Sequence, residues 1–237
     1  MKTAVTILSG GMDSSTLAFQ VFAKEEGFEY DKQHFVSFNY GQRHVKELEC
    51  ARAIANLLKS EHTIIDLSKV GPHLKGSSLT DNVEMPEGFY AEENMRLTVV
   101  PNRNAIMLSI AWGIAVGEEA DAVFYGAHAG DHFIYEDCRP EFVDALSFAF
   151  RKGTHGEKPD RISAPFLAID KAEILRRGLG MGVPYDLTWT CYKGGSVACG
   201  VCGSCQERLW SFDQVGKEDP LPYASRKLYM PGEKVAK

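Results

Sequence analysis

The chain has 237 residues, 44% of them hydrophobic and 24% charged, which suits one domain of ordinary size with a substantial core and leaves no room for a second catalytic domain. A formal net charge of −6 argues against a broad basic surface for nucleic acid, so an anionic ligand would have to be met by a local group of Arg and Lys. The expected partners are therefore small molecules rather than a tRNA.

At the N-terminus, Lys2 is followed by only about six apolar-leaning residues before the first glycines, too few for a secretory leader, and no later run approaches the roughly 18 that span a bilayer. A cytoplasmic protein is expected. Ala4-Val5-Thr6-Ile7-Leu8 reads as a buried strand and Ser14 to Phe22 as a helix, so Leu8-Ser9-Gly10-Gly11-Met12-Asp13-Ser14-Ser15 is a strand-to-helix turn. Two glycines let the backbone approach an anion without Cβ atoms in the way. The hydroxyls add donors beside unpaired amides, and the helix N-terminus carries a partial positive charge. The result is a phosphate cradle lacking the Gly-Lys-Ser/Thr ending of the common triphosphate loop and the third glycine of the dinucleotide fingerprint. Asp13 would repel a phosphate unless a divalent cation, Mg²⁺, bridged the two. The plain alternative is a tight turn capped by Ser and Asp. The wording resembles the Ser-Gly-Gly-x-Asp-Ser pyrophosphate loop of the ATP pyrophosphatase superfamily.

His34 to Asn39 is the next expected strand, His44 to Lys59 has helical apolar spacing, and His62 to Leu67 is a third strand. Strands separated by helices imply a parallel sheet, whose ligands bind at the carboxyl ends of the strands. Tyr40-Gly41-Gln42-Arg43-His44 lies at such an end, which makes Tyr40 and Gln42 nucleotide-binding candidates. From Ser68 to Arg96 periodicity disappears, a length typical of a functional loop such as a lid over the nucleotide.

Order returns at Leu97 to Asn104, followed by a helix from Ala105 to Gly117 and a strand from Ala122 to Gly126. Arg103 falls in the first helical turn, where a cation opposes the helix dipole and calls for an anionic partner, either a phosphate of ATP or an intrachain carboxylate. The segment from Gly126 to Pro140 packs two His, three acids, an Arg and two aromatics into one loop. His128 and His132 are four apart, but no His-Glu-x-x-His pattern accompanies them, so zinc is not expected there. Hydrogen-bonding acids and stacking aromatics suit a planar guanine-like ring, which marks His128, Asp131, Tyr135, Asp137 and Arg139 as substrate-binding candidates. A helix follows from Glu141 to Arg151, then the irregular basic stretch from Lys152 to Arg161. Asp170 caps a helix whose first residue, Lys171, is either a second phosphate contact or a solvated lysine.

Cys191, Cys199, Cys202 and Cys205 form a four-thiolate set, the last three at two-residue gaps with glycines between them. Six cysteines in a cytoplasmic chain point to metal or catalysis rather than disulfides. Four protein thiolates suit a tetrahedral structural Zn²⁺, with an iron–sulfur cluster as the rival. Cys50 reads as a small core residue and Cys138 as non-catalytic.

Five features taken together resemble the 7-cyano-7-deazaguanine synthases of deazapurine and queuosine-precursor biosynthesis. They are Ser9-Gly10-Gly11-Met12-Asp13-Ser14, Tyr40-Gly41-Gln42-Arg43-His44, Pro101-Asn102-Arg103-Asn104, Tyr135-Glu136-Asp137-Cys138-Arg139, and Thr188-Trp189-Thr190-Cys191-Tyr192 leading into Cys199, Cys202 and Cys205. The resemblance covers nearly the whole chain. It implies an α/β fold, a doubly wound parallel sheet of the Rossmann-like adenine nucleotide α-hydrolase type over residues 1–185, with a small zinc-binding C-terminal segment, 186–237, packed on it. It also implies a homodimer, and an ATP-dependent ligase that turns 7-carboxy-7-deazaguanine and ammonia into the nitrile through an acyl-adenylate and an amide, with Asp13, Ser14, Arg103 and Lys171 as catalytic residues. Asn102, Glu136 and Gly203 depart from the family pattern, where glycine, proline and an acid are common. A variant that stops at the amide or uses another amine shares the first half-reaction. A tRNA-modifying pyrophosphatase is the further alternative.

Overall fold

The computed structural model describes all residues except 26, 82, 91–94, 157, 232, 234 and 236–237. Among the described residues five strands form one sheet: β1 (Thr3–Ile7), β2 (Lys32–Asn39), β3 (Glu61–Asp66), β4 (Ala122–Phe124) and β5 (Arg161–Ser163). Their spatial order is β3-β2-β1-β4-β5 and every pairing is parallel, with Val5 opposite both His34 and Val123. The middle of β1 is buried on both faces, which is why it reads as a continuous apolar run rather than an alternating one.

Among the described residues there are six α-helices: α1 (Met12–Phe22), α2 (Lys46–Leu57), α3 (Arg103–Gly117), α4 (Pro140–Gly153), α5 (Lys171–Gly180) and α6 (Gly203–Val215), the last packed on α5. The period-two alternation of strand side chains sorts them into two layers. Ala4, Leu8, Phe35 and Phe124 face Leu17 and Ala18 of α1, Ile54 of α2 and Ile174 of α5. Val5, Val36, Val123 and Ile162 face Leu108, Ala111 and Trp112 of α3 and Val143 of α4. This is the doubly wound parallel sheet expected from the sequence.

Two expectations need correction. The run Arg96–Gly117 does reach the length and apolarity of a membrane span, with a mean hydropathy of 1.2. It is not one continuous α-helix, however: Arg96–Thr98 is a 3-10 turn, Asn102 is left-handed, and α3 begins only at Arg103. Leu108, Ala111, Trp112 and Ala115 bury its inner face in the domain core. The second correction concerns the stretch from 68 to 96, part of which, residues 82 and 91–94, lies outside the described residues and whose described part is not a free lid along its length. Ser77, Ser78 and Leu79 are buried, Ser78 N–H donates to Leu97 O (2.6 Å), and Leu79 O accepts from Arg43 N–H (3.2 Å). These bonds tie it between the end of β2 and the entry to α3.

Candidate active site

The strand order changes direction between β1 and β4, and the crevice at that switch point is where an open parallel sheet holds its ligand. A cavity of about 220 Å³ opens there, lined by residues 7–9, 11–14 and 125–128 on its two sides. The crevice is narrow at its floor because Gly126 lacks a side chain. A Cβ on it would stand 3.2 Å from Ser14 N.

The loop after β1 requires glycine at position 10. Gly10 has φ +85°, and a Cβ there would fall 2.1 Å from Glu47 O and 2.7 Å from Ala51 N, inside the backbone of α2. Ser9 N–H donates to Ser14 Oγ (3.2 Å) and Gly11 N–H to Ser9 Oγ (3.2 Å), with the two hydroxyl oxygens 2.9 Å apart. The hydroxyls thus occupy loop amides that an anion could take over. Trp189 N–H binds Gly10 O (2.9 Å), so the C-terminal part of the chain pins the loop from behind. Ser15 is buried inside α1 and does not line the cavity.

Behind the loop lies a dense charge cluster. Lys171 Nζ is 2.5 Å from Glu207 Oε2 and 3.3 Å from Asp13 Oδ2. Burial alone would depress its pKa, but Asp13, Glu207 and Asp131 outweigh the desolvation and raise it, so the ammonium stays charged. His128 is 1% exposed, and its Nδ1 accepts from Gly130 N–H (3.1 Å), which leaves the ring proton on Nε2. That atom faces Asp131 Oδ2 at 3.6 Å, Glu207 Oε1 at 3.8 Å and Asp13 Oδ2 at 3.9 Å. Asp13 Oδ1 is buried with no hydrogen-bond partner. Three carboxylates against one ammonium leave two negative charges uncompensated, a deficit that suits a divalent cation.

Arg103 opens α3 on the opposite wall, its guanidinium carbon 5.9 Å from the centre of the Tyr40 ring. Among the described residues no carboxylate pairs with it, so the intrachain ion pair weighed as its alternative partner is not formed. Burial pushes the Tyr40 phenol up to about 12, so it faces the cavity as a neutral donor. Gln42 is turned away. Its side chain accepts from Tyr40 N–H (2.8 Å) and donates to Phe38 O and Glu47 Oε1 (3.0 Å each), making it a clip for the turn.

The loop from Gly126 to Pro140 divides in the same way. His128, Asp131, Tyr135 and Cys138 line the cavity. Asp137 instead accepts from Asn104 N–H (3.1 Å) and Nδ2 (3.2 Å), and Arg139 Nε donates to His132 O (2.9 Å). Both brace the loop from behind. Sequence reasoning missed Tyr90, Tyr192 and Glu207, which also line the cavity. Glu207 stands two residues after Cys205 and carried no signal of its own, because its meeting with Lys171 depends on how α5 and α6 pack.

The thiol sulfurs of Cys191, Cys199, Cys202 and Cys205 all lie within 4.8 Å of one another. Those of Cys199 and Cys205 are 3.9 Å apart, and four thiolates around a single tetrahedral zinc ion stand about 3.8 Å apart. Hydrogen bonds from Cys191, Cys202 and Cys205 hold the Cys199 thiol far below the usual thiol range, and backbone N–H groups of Val201 and Cys202 also reach its sulfur. The set could therefore hold a metal ion. Trp189 joins it to the loop after β1, since its indole N–H donates to Cys191 O (3.1 Å) while its amide holds Gly10.

A family model described as queuosine biosynthesis protein QueC matches residues 3–216. The chain belongs to the QueC family. Similar proteins include a 7-cyano-7-deazaguanine synthase of Hahella chejuensis, 54% identical over 94% of this chain and 93% of that one. Another, from Rhizobium etli, is 48% identical over 97% of this chain and 94% of its own length. The fold is also that of an NMN synthetase from Francisella tularensis, with a TM-score of 0.50 at 14% identity over 91% of this chain and 77% of the other.

The three departures from the QueC pattern have local physical explanations. Asn102 sits at φ +56°, a left-handed position that glycine takes freely and that asparagine tolerates best among other residues. Glu136 is exposed and does not line the cavity. Gly203 opens α6, where a Cβ would fall 2.3 Å from the sulfur of Met95, so a larger residue there requires the Met95 side chain to move.

Proposed function

We propose that the chain is an ATP-dependent 7-cyano-7-deazaguanine synthase, converting 7-carboxy-7-deazaguanine and ammonia to the nitrile in two rounds of adenylylation. One observation carries the reading: in a chain of the QueC family, Asp13, Arg103 and Lys171, each in the first turn of a different helix, share one cavity at the switch point of the sheet. In the first round the substrate carboxylate attacks the α-phosphorus of ATP, pyrophosphate leaves, and ammonia displaces AMP to give the amide. In the second the amide oxygen attacks the α-phosphorus of another ATP, pyrophosphate leaves, and loss of AMP with both amide protons leaves the nitrile.

The protein's part is electrostatic and positional, with no covalent nucleophile. The amides of Gly10 and Gly11 and the hydroxyls of Ser9 and Ser14 receive the charge that develops on pyrophosphate. Leu8, Met12 and Ser15 hold the loop in shape, and Arg103 and Lys171 supply fixed positive charge on opposite walls. Tyr40 borders the nucleotide and Gln42 fixes its turn. His128, Asp131 and Tyr135 meet the deazaguanine ring, with Asp137 and Arg139 bracing that loop. Mg²⁺ entering with ATP would be held at Asp13, whose unpartnered Oδ1 supports this, and would supply neutralisation of the phosphate charge.

Zn²⁺ would be held by Cys191, Cys199, Cys202 and Cys205, a closed four-sulfur set that leaves no open position for catalysis. Their close spacing favours a single ion over a cluster, whose irons would spread the thiolates. The division into a nucleotide domain, 1–185, and a metal-bearing segment, 186–237, belongs to the same reading, as do cytoplasmic localisation and a homodimer. Phe133 and Phe148, 72% and 55% exposed, offer apolar surface that a second copy would cover.

The test is a mass-resolved product assay on purified protein with ATP, Mg²⁺ and 7-carboxy-7-deazaguanine, with and without ammonium. Nitrile with two AMP per turnover is expected. Substrate-dependent AMP that never yields nitrile would limit the enzyme to the amide, and no substrate-dependent AMP would refute the proposal.

A further inference from the structure

We propose that Glu207 is a positioning residue for the pyrophosphate site: it draws the Lys171 ammonium away from Asp13 and so keeps Asp13 free for the divalent cation that accompanies the nucleotide. The inference rests on the reading above of Asp13 as the carboxylate that faces that cation.

Lys171 is the first residue of α5, where the helix dipole repels a cation, so its ammonium must be held by side chains. Two carboxylates compete for it, and Glu207 has the shorter contact, 2.5 Å against 3.3 Å for Asp13. Asp13 meets Lys171 through Oδ2 alone and leaves Oδ1 buried and unbonded. Without the Glu207 charge, Asp13 and Asp131 would be the acids left beside the ammonium, and Lys171 would close onto Asp13 as a simple ion pair. An incoming cation would then have to displace it.

Glu207 is also held rigidly, as a positioning group must be. Its neighbours in α6, Gln206 and Arg208, are both fully buried. The Gln206 amide donates to Gly200 O and Lys227 O and accepts from Tyr229 N–H. Arg208 is locked onto Asp219, and the Glu207 carbonyl accepts from Ser211 Oγ (2.8 Å). The helix itself starts at the cysteine cluster, so the metal-bearing segment sets where this carboxylate stands.

The experiment is a calorimetric titration of the zinc-loaded chain with α,β-methylene-ATP across a Mg²⁺ series, for wild type, Glu207→Gln, Glu207→Asp, Lys171→Met and the double variant Glu207→Gln/Lys171→Met. Zinc content and melting temperature are recorded for each. Glu207→Gln is expected to raise the Mg²⁺ needed for half-maximal nucleotide binding about tenfold, the change given by one charge-assisted contact. Glu207→Asp should recover part of that shift, and Glu207→Gln should add nothing once Lys171 is Met. A variant that melts earlier but keeps the wild-type Mg²⁺ dependence would make Glu207 a structural strut and overturn the proposal. An equal shift in the Lys171→Met background would mean that Glu207 acts on the cation directly, and would also overturn it. Wild-type binding with no Mg²⁺ dependence would remove the reading of Asp13 and the inference together, so the wild-type series separates the two failures.

Discussion

Replacing Arg208 by Met tests the least exposed ion pair of the described structure, because Arg208 and Asp219 are both 0% exposed at the side chain. All five guanidinium donors are used: Nε and Nη2 on Asp219 (2.6 and 2.9 Å), Nη2 also on Tyr185 O (2.9 Å), and Nη1 on Thr188 Oγ1 (2.7 Å) and Thr190 Oγ1 (3.2 Å). Asp219 accepts in addition from Tyr223 Oη (2.7 Å) and Leu221 N–H (3.1 Å). Removing the guanidinium strands a carboxylate away from water, and breaking one side of a buried pair costs about 3–5 kcal/mol. Against a typical total of about 5–15 kcal/mol, that brings the fold close to its limit. The double variant Arg208→Met/Asp219→Leu removes both charges, leaving only neutral donors and acceptors unpaired at about 1 kcal/mol each. It is expected to be more stable than Arg208→Met alone. Urea unfolding of the zinc-loaded chain, followed by tryptophan fluorescence, measures both. A loss below about 1 kcal/mol for the single variant, or a double variant less stable than the single, would refute the reasoning.

Other perturbations separate the loop's backbone from its side chains and the metal from the site. Gly10→Ala combines a left-handed backbone, about 1–2 kcal/mol, with overpacking against α2, about 1–3 kcal/mol, and should abolish pyrophosphate release. Gly11 has φ −77° and its nearest obstacle is Ser9 Oγ at 3.3 Å, so Gly11→Ala should stay within about 1 kcal/mol of wild type in the same urea assay; equal damage from both would sink the distinction. Asn102→Val should cost about 1–2 kcal/mol and Asn102→Gly almost nothing, since only a left-handed residue is needed ahead of α3. If the cysteines hold zinc as proposed, chelation should release Trp189 from Cys191 and loosen Gly10, seen as a fluorescence change together with loss of ATP–pyrophosphate exchange, both restored by added zinc. Full exchange activity in metal-free protein would show that the cluster does not support the loop.

The local patterns that the sequence carries plainly are those enforced by backbone chemistry. The two glycines after an apolar strand, the cation at the start of α3 and the Asp170 cap ahead of Lys171 all have their meaning within a few residues. The parallel sheet and its helices follow from the same periodicities, with boundaries displaced by about two residues at α1 and α2. Gln42, Asp137 and Arg139 were indistinguishable from ligand contacts in sequence, because a polar side chain in a loop at the strand ends can turn toward the cavity or back onto the chain. In each of the three, unpaired backbone groups or a neighbouring side chain took it.

The parallel α/β architecture, the glycine turn after β1 and the four-cysteine set were legible in the chain itself, since each is written in residues close together. It took the packing of helices from distant parts of the chain to bring Asp13, Lys171, Glu207 and His128 into one charge cluster and to set Trp189 between Gly10 and the cysteines. Helix α6 reaches Lys171 because it packs on α5 after the chain has crossed the whole sheet. Contacts between segments tens of residues or more apart are fixed by the packing of layers, and no local spacing encodes them.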